Sequence, residues 1–163
     1  MLSFQNPRVF IINKNDDVNS LLFGIFWLKG FEPFKFTNGK DALKRFRELE
    51  GKLDAAVLNH EIALDTDIML ITNMKRINPD TKVIVIADED SEKTRIYEYG
   101  ADKIVLIPTS PTDISDKILL LVSQRIVLEN PQNDLVWFKQ KKNNISNKLP
   151  NNNPFFFILL ENI

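Results

Sequence analysis

The side chains able to do chemistry are few, and most are of the wrong kind for catalysis. The chain of 163 residues has no cysteine and a single histidine, His60, which removes disulfides, thiolate nucleophiles and thiolate metal sites together. His60 follows Asn59 and has no second histidine or cysteine with which to complete a metal site or a relay, so it reads as a loop or surface residue. Carboxylates cluster at Asp16-Asp17 and at Asp88-Glu89-Asp90. Acid clusters can hold a hard cation, but both stand where helices are expected to begin, and there the macrodipole favours a carboxylate by about 0.3 to 1 kcal/mol. The turn from Asn13 to Asp17 contains no glycine, which disfavours a phosphate-cradling loop and with it a nucleotide or flavin site. No nucleophile has a base beside it, so no enzyme, no metal and no cofactor is expected.

The elements that would position these residues alternate regularly. Val9-Phe10-Ile11-Ile12 is a continuous apolar run, the pattern of a strand buried on both faces. Asn15, Asp16 and Asp17 follow as cap residues, and Val18, Leu21, Leu22, Ile25, Phe26 and Leu28 recur at helical spacing up to Gly30. The pattern then repeats as strands over 31–36, 53–58, 82–87 and 103–106, with helices over 41–49, 65–77, 89–99 and 112–129. Five strands alternating with five helices predict an α/β fold, a doubly wound parallel sheet of flavodoxin-like (βα)5 type with strand order 2-1-3-4-5. The functional crevice of such a sheet lies at the carboxyl ends of its strands, beside strand 1.

Residues 7 to 129 resemble the receiver domain of bacterial response regulators. The local matches are Asn38-Gly39 with Ala42-Leu43, the Gly100-Ala101-Asp102 turn, and Leu28 with Gly30-Phe31. The resemblance implies an acidic pair after strand 1, a phosphate-accepting aspartate at the end of strand 3, a hydroxyl residue after strand 4 and a lysine at the end of strand 5. Those positions read Asn13 and Lys14, Asn59, Ala87 and Ile107. An amide is a weaker magnesium ligand than a carboxylate and an ammonium is none. An amide also cannot attack a phosphoryl donor as a carboxylate does. Taking Asp16-Asp17 as the pair instead leaves too few residues before the Leu21-Leu22 face of the first helix. The aromatic position of strand 5 is Ile104, and Ile107-Pro108 keeps the proline that the resemblance implies is preceded by a cis bond. Asn13, Lys14, Asn59, Ala87 and Ile107 therefore read as a vestigial phosphorylation pocket. Lys14 is either a solvated surface residue or a donor to the Asn59 side chain and to Asp16 or Asp88.

The resulting expectation is a phosphorylation-independent pseudo-receiver, a protein interaction module of two-component-like signalling. Its partner would be a signalling protein or a second copy of itself, met through the face carrying Ile96, Tyr97 and Ile104. A small-molecule or anion sensor using the old crevice is the alternative. Lysine and arginine (21) nearly balance aspartate and glutamate (22), which gives no basic field for nucleic acid. The chain shows no signal peptide or membrane-spanning stretch, and a cytoplasmic location is expected. Residues 1–130 are assigned to the receiver-like domain and 131–163 to a C-terminal extension. The extension holds an Asn/Lys-rich linker expected to be flexible, and the apolar groups Leu135 to Phe138 and Phe155 to Leu160.

Overall fold

The computed structural model describes residues 6–88, 92–107 and 109–129, with side chains to Val122. The elements run β1 (Arg8–Ile12), α1 (Asp16–Leu28), β2 (Glu32–Phe36), α2 (Gly39–Glu48), β3 (Ala55–Asn59), α3 (His60–Ala63), α4 (Leu70–Ile77), β4 (Lys82–Ala87), α5 (Lys93–Glu98), β5 (Lys103–Leu106) and α6 (Pro111–Glu129). All strand pairs are parallel and the order is β2-β1-β3-β4-β5, the flavodoxin-like arrangement expected from the alternation. The linker, the apolar groups beyond residue 130, Glu89, Asp90 and Pro108 lie outside the described residues.

Position in the sheet explains the strand sequences. The inner strands β1, β3 and β4 are buried along almost their whole length because helices cover both faces, so they are continuous runs of Val, Ile, Leu, Ala and Phe. The edge strands β2 and β5 keep exposed positions. Side chains on successive residues point to opposite faces. Phe10, Ile12, Ala56, Leu58, Val83 and Val85 join Phe46 of α2 and Ile71 and Met74 of α4 in one core cluster. Phe10 is its aromatic centre, with ring contacts to Phe34, Phe36 and Phe46.

Helix ends follow local chemistry. Asn15 and Asn38 cap α1 and α2 with their side-chain oxygens. Gly30 and Gly100 stop α1 and α5 at positive φ, with Phe31 N–H donating to Phe26 and Ala101 N–H to Ile96. That six-to-one closure needs the left-handed residue that glycine supplies without strain. One helix departs from expectation. The span 65–77 is broken: a single turn, α3, comes earlier, and α4 begins only at Leu70. The Asp65 carboxylate accepts from the N–H groups of Asp67 and Ile68, and Met69 adopts a left-handed φ of 44°. A side chain that captures local N–H groups competes with the helix, and apolar periodicity does not register that competition.

Candidate functional site

Strand register brings the five expected pocket residues to one edge of the sheet. Asn13 and Lys14 directly follow β1, Asn59 ends β3, Ala87 ends β4 and Ile107 directly follows β5. Leu58 pairs with Ile12, Asn59 with Ile86 and Ala87 with Leu106, so all five stand at carboxyl ends. The Ile107 N–H donates to the Ala87 carbonyl at 3.0 Å. Ala87 is buried, while the Ile107 side chain is exposed.

The polar groups of this edge are spent on the backbone. Asn13 Oδ1 accepts from the Asn15 N–H at 2.9 Å, and Asn15 Oδ1 accepts from Asp17 N–H at 2.9 Å. These are consecutive side-chain turns of the kind that asparagine favours. Asn59 Oδ1 accepts from the Ile62 N–H at 3.2 Å, so the residue that closes β3 is also the N-cap of α3.

Lys14 does not reach Asn59. Its ammonium lies 2.6 Å from Glu61 Oε2, with both side chains more than half exposed. The expected carboxylates are engaged elsewhere: Asp16 lies 3.4 Å from Lys35 Nζ, and Asp88 lies 3.7 Å from His60 Nδ1. The Lys14 ammonium, by hydrogen bond and then by charge, holds the Glu61 carboxyl below its ordinary range. Glu61 escaped the sequence reading because the helix there was expected to begin at Asp65. With α3 starting at His60, Glu61 falls in its first turn, where a carboxylate is favoured. Among the described residues, no three acidic, histidine or cysteine side chains gather as a metal-holding group.

Asn19 is the residue that periodicity overlooked. It is fully buried in α1, and its amide nitrogen donates to the carbonyls of Asn13 at 2.8 Å and Phe36 at 2.9 Å. One side chain thus ties the carboxyl ends of β1 and β2 to the helix that follows β1. Its polar type disguised it among the apolar positions, although a buried amide needs partners of this kind.

The expected interaction face is only partly a surface. Ile96 is 1% exposed and belongs to the core cluster, so it serves packing and is corrected out of that face. It sits on the inward side of the short α5, where the helix closes over the sheet. Ile104 is half-buried against the same cluster. Tyr97 is 48% exposed and available for contact.

The fold is that of a flavodoxin-like α/β domain, and its structural neighbours include response regulator receiver domains. A receiver domain from Clostridium thermocellum superposes with a TM-score of 0.65 at 17% identity, over 75% of this chain and 98% of that one. The response regulator TrrA of Thermotoga maritima, solved in complex with Mg2+ and BeF, gives 0.60 at 20% identity, over 71% and 98%. A putative pilus assembly-related protein of Burkholderia pseudomallei gives 0.60 at 17%, over 76% and 96%. No protein-family model and no curated protein matches the sequence. These likenesses show the fold. No described helix is long and apolar enough to cross a membrane.

Proposed function

We propose that this chain is a phosphorylation-independent pseudo-receiver, an interaction module of two-component-like signalling in which residues 1–130 form the domain and 131–163 an extension. The observation that carries the reading is Asn59. It ends the strand at which a receiver's aspartate would stand, it is a neutral amide and lacks the carboxylate that attacks a phosphoryl group, and its Oδ1 accepts the Ile62 N–H in capping α3. Asn13, Lys14, Ala87 and Ile107 around it supply no carboxylate, hydroxyl or ammonium in the order phosphotransfer needs.

The partner is a protein, met at a surface that includes Tyr97 and the exposed side of β5, since tyrosine gives contact area at low ordering cost. A cysteine-free chain suits the reducing cytoplasm. The anion-sensing alternative is weakened by Glu61, because an anion at Lys14 would have to displace a carboxylate 2.6 Å away.

The test is an amide NMR titration of the full chain with Mg2+ and then beryllofluoride. Amides near Asn13, Asn59 and Ala87 are expected to stay in place. Saturable shifts there would overturn the reading and point to another phosphoacceptor. The Asn59→Asp variant, run in parallel, asks whether the missing carboxylate is the only defect. Continued silence is expected, because Lys14 and Ala87 remain.

A further inference from the structure

Asn38-Gly39 is the one place in the chain where glycine follows an asparagine, and that pair carries a chemistry of its own. The Gly39 nitrogen can close a five-membered ring on the Asn38 side-chain carbon, because glycine has no Cβ to obstruct the approach. In that step a bond forms between Gly39 N and Asn38 Cγ, and the Cγ–Nδ2 bond breaks. The amide leaves as ammonia, taking up the proton of the Gly39 N–H. Solvent water then opens the cyclic imide at either carbonyl. One opening leaves aspartate, and the other leaves isoaspartate, whose main chain is longer by a methylene. The sum is hydrolysis of an amide, with water as the other reactant and no oxidant.

The fold opposes this ring closure on both sides. Asn38 is exposed to water, but its side chain is bonded at both ends to one residue. Oδ1 accepts from the Asp41 N–H at 2.9 Å, and Nδ2 donates to Asp41 Oδ2 at 2.8 Å. Drawing Cγ onto the Gly39 nitrogen works against both bonds, and with them against the cap of α2. Gly39 is buried at the first position of α2. A Cβ built there would lie 3.4 to 3.5 Å from side-chain atoms of Ile62, Ile68 and Leu70. Its backbone is therefore packed beneath α3 and the start of α4, and turning it toward the amide requires unpacking the start of the helix.

We infer that Asn38 is a modification site at which this chain deamidates without an enzyme, and that the first turn of α2 sets the rate, because the ring closes only when the cap opens. The product changes the structure locally. A carboxylate at this position replaces the Nδ2 donor with an oxygen facing Asp41 Oδ2, and isoaspartate also lengthens the chain at the cap. Both loosen the start of α2. The sheet is untouched, since the register of β1 with β2 ends at Phe36. The site lies apart from Asn59 and Lys14, and the inference stands whether or not the pocket reading holds.

The test is incubation of the full chain at mildly alkaline pH, followed by peptide mapping that separates asparagine, aspartate and isoaspartate at residue 38. Conversion is expected to run about fivefold faster, or more, in urea than in the folded chain, the ordinary weight of one helix cap. Asp41→Ala should speed the folded chain and leave the unfolded one unchanged. Asp41→Asn, which keeps an acceptor for Nδ2, should restore the slow rate. Gly39→Ala should suppress conversion in both states. In partly converted samples, hydrogen exchange should rise in the first turn of α2 and not in β1 or β3. Equal rates in the folded and unfolded chain, or a folded rate indifferent to Asp41→Ala, overturn the control by α2. An unfolded chain that does not convert at residue 38, or converts as fast at its other asparagines, overturns the site.

Discussion

The two edges of the sheet are built on different principles. At the amino edge, the residue just before each of three strands reaches across to a neighbouring segment. Asp54 precedes β3, and its carboxylate accepts from Arg8 N–H at the start of β1 at 2.8 Å. Asp102 precedes β5, and its carboxylate accepts from Val83 N–H in β4 at 2.7 Å and from Lys75 Nζ at 2.6 Å. Thr81 precedes β4, and its buried hydroxyl donates to the Leu53 carbonyl at 2.9 Å. Lys75 also donates to the Thr81 carbonyl. At the carboxyl edge, Asn13, Asn15 and Asn59 use their side chains within two or three residues of themselves, and the Lys14–Glu61 pair is exposed. Long-range, shielded bonds hold one edge, and local, solvated bonds finish the other. The amino edge therefore carries stability, while the carboxyl edge is free to change its chemistry without loss of fold.

The largest effect that this contrast implies is at Asp102. Asp102→Ala leaves the Val83 N–H without its acceptor and the largely shielded Lys75 ammonium without its counter-ion, still bonded to the Thr81 carbonyl, and a loss of about 2 to 4 kcal/mol in urea unfolding is expected. A loss no greater than that of an exposed alanine substitution would remove the distinction between the edges.

Asn19 is the exception that sharpens it, being the one buried long-range side-chain tie described at the carboxyl edge. Asn19→Ala should cost about 2 kcal/mol, since two backbone carbonyls lose a shielded donor and a small void opens. Hydrogen exchange should locate the effect at the ends of β1 and β2. Its Oδ1 is buried and has no hydrogen-bond partner among the described residues, so Asn19→Ala should lose less than a substitution that breaks a fully satisfied amide.

At Asn59 the contrast implies a small effect. Aspartate caps a helix about as well as asparagine, so Asn59→Asp is expected to leave stability within about 0.5 kcal/mol, whereas Asn59→Ala should lose about 1 kcal/mol with the cap. Equal losses in the two variants would show that Asn59 is held by something other than its bond to Ile62.

The unequal legibility of the chain follows the same division. Inner strands could be read to within two residues because burial on both faces imposes an uninterrupted apolar run, as in 82–87. The span 65–77 could not, because Asp65 and the left-handed Met69 act through backbone geometry that leaves no periodic trace. The pocket residues were locatable because strand ends fix their positions. Their partners were not, since whether Lys14 meets Asn59 or Glu61 depends on a helix turn only four residues long. Ile96 was misplaced onto a surface because α5 has just six residues, too few for periodicity to decide which side faces in.

The smallest expected effect is at Lys14, and it separates two ideas of what the Lys14–Glu61 pair does. Both side chains are largely exposed, and water and salt screen an exposed ion pair nearly completely. Lys14→Ala should therefore leave the melting temperature unchanged at neutral pH. The sign of the coupling remains measurable at the carboxyl itself. Lys14 lowers the folded-state pKa of Glu61 from its ordinary 4.5, so whatever the pair contributes is present above that value and is lost as pH falls through the lowered one. A carboxyl NMR titration should show the Glu61 midpoint rise in Lys14→Ala, with the Asn59 and Ile62 amides unmoved. If those amides shift with Glu61, the pair positions α3 and through it the cap, and the carboxyl edge is more tightly coupled than its local bonding implies. If only the carboxyl moves, the pair is a surface neutralisation, and Asn59 alone sets the geometry at the end of β3.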